Sequence, residues 1–297
     1  MRVSIIKDWE GDLMRQTPGC RGEWQGIKFH QGFMPWADVI VVLNANPRNL
    51  YGFFREGGKW IMSQEPPHEF YRWQTKVFSS FDQIFTFWPQ ADFPSLKLTH
   101  TQTSLPWHVG KTYDQLLLLN YQSLNKSDDV TWITSSLNTR PGHAVRLNFM
   151  NALNQHQFPY HLMGRGFRPI ADKFDGLAPI KYSIAIENFS CADYWTEKIA
   201  DCFLSWTMPF YYGCTNITDY FPPESMILID PLQPDITMEI MKEAVALDKW
   251  KKALPWIAEA RQLILNKYQF FPSVVDKLKQ FEIAQKPRRL SFIPKAT

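Results

Sequence analysis

The sequence predicts an α/β protein of two domains, and three observations carry that expectation. Short strands rich in β-branched residues alternate with amphipathic helical stretches, the order expected when helices cover a mostly parallel sheet. One run, Ala37-Asp38-Val39-Ile40-Val41-Val42-Leu43, is apolar almost throughout, as suits a strand buried on both faces. A length of 297 residues, 45% of them hydrophobic, is enough for two cores of ordinary size.

The first expected strand is Val3 to Ile6. Trp9 to Phe33, rich in glycine, charge and tryptophan, reads as a loop with a short helix. The Ala37 strand is broken by Asn44 to Asn49, which includes Pro47. Lys59 to Ser63 forms the next strand and Gln64-Glu65-Pro66-Pro67 closes it; a helix through Phe70 to Val77 and a strand from Phe81 to Thr86 follow. Two consecutive prolines keep the backbone after Glu65 out of helix. A carboxylate fixed at a strand end is where α/β layers place their chemistry, so Glu65 is a candidate base; an ordinary loop glutamate is the alternative. Glu69, four residues on, is the rival.

The polar run Asn120 to Asp129 reads as an interdomain linker, giving domains at 1–122 and 128–270 and leaving 271–297 as a last helix and basic tail. Such a helix often crosses back to the first domain. Val130 to Ser135 opens the second domain. In the helix that follows, Ala144, Leu147 and Met150 share a face, and Arg146 lies in the early turns, where the helix dipole prefers an anion. A surface arginine and a phosphate ligand both remain open. Arg165, in a Gly-Arg-Gly turn after the next strand, is a weaker candidate.

Lys181 to Asp230 is the most informative stretch. Tyr182, Ile184 and Ile186 alternate with Ser183 and Ala185, a buried strand that ends at Glu187 and Asn188. A polar loop leads to a helix with Ile199, Cys202, Phe203 and Trp206 at helical spacing, and Thr207 to Gly213 is a second strand. In such a βαβ unit the loop after the first strand holds ligands. Thr196 is the expected N-cap, placing Glu197 and Lys198 in the first turn. Lysine there opposes the dipole, which either a solvated side chain or a bound phosphate would explain.

Asn188 six residues before Tyr194, then Thr196-Glu197-Lys198, the Pro209 strand ending in Gly213, and the Phe221-Pro222 turn with Ser225 beyond it share an order and spacing. Together they resemble the signature of the family 10 glycosyltransferases, the α1,3/α1,4-fucosyltransferases, whose segment runs ENS, YVTEK, PVVLG and P-x-SFI. Trp195 stands for a small apolar residue, Met226 for an aromatic one, and Phe189 interrupts the ENS run. The resemblance implies a GT-B-like fold of two Rossmann-like domains facing across a cleft. It implies an inverting transfer of L-fucose from GDP-β-L-fucose to a glycan hydroxyl, in α1,3-type linkage. Glu65, near a segment like the family's ESP, would be the general base. Arg146, in an R-x-x-F-x-x-x-L helix with Phe149 and Leu153, would hold the donor phosphates with Lys198. Asn188, Tyr194 and Glu197 would hold ribose, phosphate or fucose, with Glu187 and Thr196 as weaker donor-site candidates. A different nucleotide sugar on the same fold, or a non-catalytic sugar-binding module, are the alternatives.

Composition narrows the partners. A net charge of +3 without a basic stripe argues against nucleic acid. Cys20, Cys191, Cys202 and Cys214 have neither CxxC nor zinc spacing, and no acidic pair stands where the diphosphate should sit. No metal cofactor is expected to be required, although a divalent ion could stimulate the reaction. The 22 Phe, 12 Trp and 11 Tyr supply core residues and, in part, faces on which sugars pack. No stretch reaches membrane-spanning length, and the opening MRVSIIKDWEGD has no apolar signal run. A bacterial-type cytoplasmic enzyme is therefore expected, acting on a lipopolysaccharide, another lipid-linked glycan or a free oligosaccharide. Its basic tail, Lys286-Pro287-Arg288-Arg289-Leu290, is either solvated or a peripheral contact at the inner membrane face.

Overall fold

The computed structural model describes residues 1–104, 106–139 and 141–296. The chain forms two compact units. One is Met1–Pro106 with Thr112–Asp114 and Lys267–Thr297; the other is Trp107–Lys111 with Gln115–Asn266.

The first unit carries strands β1 (Arg2–Lys7), β2 (Glu23–Trp24), β3 (Ile27–Gln31), β4 (Val39–Leu43), β5 (Leu50–Arg55), β6 (Lys59–Met62), β7 (Gln83–Thr86) and β8 (Leu98–His100). Seven of them form one sheet, ordered β2-β3-β1-β4-β6-β7-β8. It is parallel except at the β2 edge. β4 lies inside it, and all five of its side chains are buried, as an unbroken apolar strand requires. Each such Val or Leu contributes about 1.5–3 kcal/mol relative to exposure. Between β6 and β7 the expected helix is present as 3₁₀ turns over Glu69–Ser80, and its buried residues Tyr71, Val77 and Phe78 face the core. The expected loop from Trp9 to Phe33 contains β2 and β3. β3 pairs with β1 although only Phe29 of its side chains is buried, so it shows no alternation strong enough to read.

The second unit carries α1 (Tyr113–Leu118), β9 (Ser127–Ile133), α2 (Pro141–Gln155), β10 (His161–Met163), α3 (Lys173–Leu177), β11 (Ile180–Ile186), α4 (Glu197–Leu204), β12 (Met208–Tyr212), β13 (Ile227–Leu228), α5 (Pro234–Ala246) and α6 (Lys249–Leu263), although the opening residues of α1 group with the first unit. Its five strands are all parallel, ordered β10-β9-β11-β12-β13. Tyr182 of β11 stacks on Phe210 of β12 at 5.5 Å, and Phe203 of α4 meets Phe221, in the connection from β12 to β13, at 5.1 Å.

The division between units falls earlier than residue 122. The guanidinium of Arg261 donates to the carbonyl of Leu116 at 2.7 Å, and the Trp206 indole donates to that of Leu119 at 3.0 Å, so this stretch belongs to the second unit. Asn120 to Asp129 is not a free hinge either, since β9 begins at Ser127. Lys126 is half-buried, its ammonium on the carbonyls of Leu177 and Ile180 and the Thr207 hydroxyl at 2.8–3.1 Å. Those oxygens hold the charge, while burial pulls the pKa down to about 7.

After α6 the chain groups with the first unit from Lys267 on, slightly before the expected 271. α7 (Phe270–Gln280) lays Phe271 edge-on to Phe29 of β3, 4.9 Å apart. The basic tail forms a strand, although most of its side chains remain exposed to solvent. β14 (Arg288–Ile293) pairs antiparallel with β5, and Ile293 enters the first unit's core. Its charges are partly spent inside the fold: Arg288 reaches Asp38 at 2.8 Å and Arg289 reaches Glu56 at 2.9 Å. Among the described residues no helix is long and apolar enough to cross a membrane.

Candidate active site

In the second sheet the chain leaves β9 for β10 on one side, then crosses to β11 on the other. Loops on the two sides of such a reversal diverge, leaving a crevice at the carboxyl ends of the strands. A cavity of about 480 Å³ lies there, within the usual range for a small-molecule site. Its wall is the loop after β9 (Thr134, Ser135, Leu137, Thr139), Arg146 of α2, Gly164 and Arg165 after β10, Lys173 of α3, Asn188 after β11, and Glu197 and Lys198 of α4, with His108 alongside.

Two glycines let these loops meet. A Cβ on Gly142, in the first turn of α2, would lie 1.6 Å from the carbonyl oxygen of Asn188. Gly164, at φ +116°, would put one 1.9 Å from the Thr134 carbonyl. The start of α2 therefore abuts the Asn188 backbone, and helix starts suit anions.

The two cations singled out by helix polarity are already engaged. Arg146 is buried, 4% exposed, and donates from Nη1 to Asn188 Oδ1 at 3.0 Å and from Nη2 to the carbonyls of Ser135 and Leu137 at 3.0 and 3.1 Å. Its Nε finds no acceptor among the described residues. In this arrangement the guanidinium shapes the wall, binding the β9 loop to Asn188. Lys198 Nζ lies 3.0 Å from Glu187 Oε2 and 3.1 Å from Thr196 Oγ1. The conflict between that lysine and the dipole is thus relieved inside the protein by Glu187, and polarity alone does not require a bound phosphate.

The cluster continues beneath the cavity floor. Lys173 bridges Glu197 at 3.3 Å and Asp201 at 3.1 Å, and Asp201 accepts the backbone amides of His108 and Val109. Lys173 and Lys198 therefore stand against Glu187, Glu197 and Asp201, while Arg146 and Arg165 lie in the wall above them. Burial pushes the Glu187 carboxyl above its ordinary value, an effect that Lys198 offsets only in part. Burial acts the same way on Glu197, but Lys198 and Lys173 outweigh it and hold that carboxyl well below the usual range. Thr196 caps α4 as expected and is bonded to both oxygens of Glu187, so these two lie under the site rather than in its wall.

Of the expected donor-site residues, the cavity gathers Arg146, Arg165, Asn188, Glu197 and Lys198. Tyr194 is not among its lining residues. It is 3% exposed and packs edge-on to Phe189, in a loop held by Asp193, which accepts from Asn216 and Tyr220. Lys173 and His108 were not singled out by sequence; a lysine opening a short helix between two acids, Asp172 and Asp175, was the available signal for the first.

Glu65 belongs to the first unit and follows β6, half-buried. The residue before it is held firmly: the Gln64 amide donates to Asn44 Oδ1 at 2.7 Å, and the Trp9 indole donates to Gln64 Oε1 at 3.2 Å. Glu69 opens the 3₁₀ segment and is exposed. Among the described residues no group of three or more His, Cys, Asp or Glu is placed to hold a metal.

Two units of parallel sheet, one with a polar cavity over its strand reversal, place the chain in the GT-B class of glycosyltransferase folds. A crystal structure of an alpha1,3-fucosyltransferase superposes with a TM-score of 0.54 over 96% of this chain and 90% of that one, at 14% identity. An alpha-glucosyltransferase in complex with UDP and DNA gives the same TM-score over 96% of this chain and all of that one, at 11% identity. These likenesses establish the fold alone. Residues 123–254 match the model of glycosyltransferase family 10 (fucosyltransferase), C-terminal part. GDP-fucose protein O-fucosyltransferase 3 of Danio rerio is 29% identical over 152 residues, 50% of this chain and 32% of that protein. The 4-galactosyl-N-acetylglucosaminide 3-alpha-L-fucosyltransferase 9 of Bos taurus is 31% identical over 111 residues, 36% of this chain and 30% of that protein. The chain thus spans about a third of the length of these relatives, which are eukaryotic.

Proposed function

We propose that the chain transfers L-fucose from GDP-β-L-fucose to a hydroxyl of a glycan, free or lipid-linked, with inversion to an α linkage of the 1,3 type. The observation that carries this reading is the make-up of the cavity. Every residue of its wall except His108 falls within the segment matched to family 10, and the wall holds cations, an amide and a helix start suited to a nucleoside diphosphate.

The nucleotide diphosphate lies against the first turn of α2 and Lys198, with Asn188 and Glu197 beside it. Arg146 supports this wall through Asn188 and the β9 loop and adds its charge. As the C1–oxygen bond to the diphosphate breaks, GDP leaves with the bonding pair, and the neighbouring cations stabilise the charge that grows on it. The acceptor oxygen forms the new bond to C1 on the opposite face and gives its proton to the Glu65 carboxylate. Protein cations take the role a metal would have, so excess chelator should leave GDP binding unchanged.

A thermal-shift screen of GDP-, UDP- and dTDP-sugars, followed by an acceptor array with the best donor, tests the reading. Stabilisation by GDP-fucose and transfer of fucose are expected; preference for another nucleotide would assign a different donor. Glu65→Gln should keep donor binding and lose roughly 10²–10⁴-fold in turnover. Unchanged turnover would move the base elsewhere, first to Glu69.

A further inference from the structure

A second surface lies wholly on the first unit and takes no part in the proposed chemistry. β5 and β14 pair Tyr51 with Phe292, Phe53 with Leu290 and Arg55 with Arg288. Opposed residues of an antiparallel pair share a face, and alternate residues along a strand do too, so all six point the same way. The other face is core: Leu50 is 2% exposed, Phe54 and Ile293 not at all.

The outward face of a sheet packed on one side is ordinarily polar. Here Tyr51 is 64% exposed, Leu290 67% and Phe292 44%, and Trp36, 55% exposed, lies flat on Phe53 with the rings 4.4 Å apart. Tyr51 and Phe292 stand ring to ring at 4.8 Å. These side chains form one contiguous aromatic patch, which an isolated soluble surface rarely carries without a partner.

Cations border the patch at both ends. Lys286, Arg288 and Arg55 stand at one, and Arg48 and Lys295 at the other, where the Lys295 amide is held by Asn49. Arg2 lies alongside, donating to the Trp36 carbonyl. Asp38 serves both Arg55 and Arg288, leaving that trio one positive charge in excess. Arg48, Lys286 and Lys295 have no ion pair among the described residues. Rings that sit at the boundary of headgroup and acyl chain, with cations reaching phosphates around them, are the chemistry of an interfacial contact. A second copy would set the same positive rim against itself, and a neutral glycan would leave the rim without a counter-charge.

We propose that this face docks on the surface of an anionic lipid bilayer. The contact belongs to a folded strand pair, so cutting off the tail is the wrong probe: it would remove Ile293 from the core. Flotation of the full chain with vesicles of phosphatidylcholine, alone or with phosphatidylglycerol, gives the direct test. Binding is expected to the anionic vesicles only and to weaken as salt is raised. Tyr51→Ser with Leu290→Ser should lower the bound fraction roughly tenfold or more, and Arg48→Glu with Lys295→Glu should do the same. All four positions are exposed, and near-UV circular dichroism checks that each variant keeps its fold. The proposal is overturned if wild type fails to float with anionic vesicles, or if both folded variants float as it does. A lipid-free dimer or bound oligosaccharide that Tyr51→Ser with Leu290→Ser abolishes, with vesicle binding unchanged, would also overturn it.

Discussion

Glu187 decides how the charge of the cavity floor responds to pH. Its folded pKa is raised, so as pH falls it takes up a proton at a pH above the ordinary 4.5. The floor then loses one negative charge, and the site becomes more positive by one. GDP affinity should therefore rise relative to Glu187→Gln as pH falls through that raised value. The variant, permanently neutral there, should bind GDP tighter at neutral pH by up to roughly tenfold, or about 1.4 kcal/mol. Calorimetric titration of both proteins from pH 7.5 to about 5 checks this, the variant serving as control for the nucleotide's own protonation; parallel curves would contradict it. Glu197 has the opposite sign. Its depressed pKa makes its stabilisation complete above the unfolded value, to be lost only as pH falls through the lower folded one. At this scale the sequence marked Arg146, Asn188, Glu197 and Lys198 through their order and spacing. It could not show that Glu187 neutralises Lys198 from below, with the Thr196 hydroxyl accepting from the same ammonium, because a residue's partners depend on how the strand and helix are brought together. Tyr194 illustrates the same limit: Asn188 before it and Glu197 after it line the cavity while its own ring packs against Phe189.

Among the elements, α2 is placed by a single missing side chain. Gly142→Ala would drive a methyl into the Asn188 carbonyl and push the helix start from the cavity. The expected cost is about 1–3 kcal/mol of stability, as for an overpacked site, together with at least roughly tenfold weaker GDP binding. Thermal denaturation and calorimetry of the variant measure the two, and unaltered values for both would show that α2 does not need this approach. The unit from β11 through α4 to β12 was legible because Ile184, Ile186, Ile199, Cys202 and Phe203 are apolar residues at strand and helix spacing, although Ser183, Ala185 and Asp201 between them are buried as well. β3 and β5 were not. β3 buries only Phe29, and β5 carries aromatic residues on its outward face, so apolar character no longer distinguishes in from out.

In the molecule as a whole, strand and helix alternation disclosed the α/β class and two units, but not where the chain passes between them. Polar residues from Asn120 to Asp129 suggested a hinge, whereas Lys126 and the carbonyls it holds make that run part of the second unit. The C-terminal strand was equally hidden, since its partner β5 lies more than two hundred residues earlier and nothing local announces the pairing. Ending the chain at Gln285 should therefore lower the melting temperature of the first unit by several degrees, as about 2 kcal/mol or more of core burial is lost; an unchanged melting profile would mean that β14 adds nothing. The central claim is that the crevice over the second sheet receives the donor diphosphate, and a crystal soaked with GDP measures this most directly. The account predicts phosphate density within hydrogen-bond reach of Lys198 and the first turn of α2, with Arg146 and Asn188 in the adjoining wall. Density for GDP anywhere else, with that crevice left open, would contradict it.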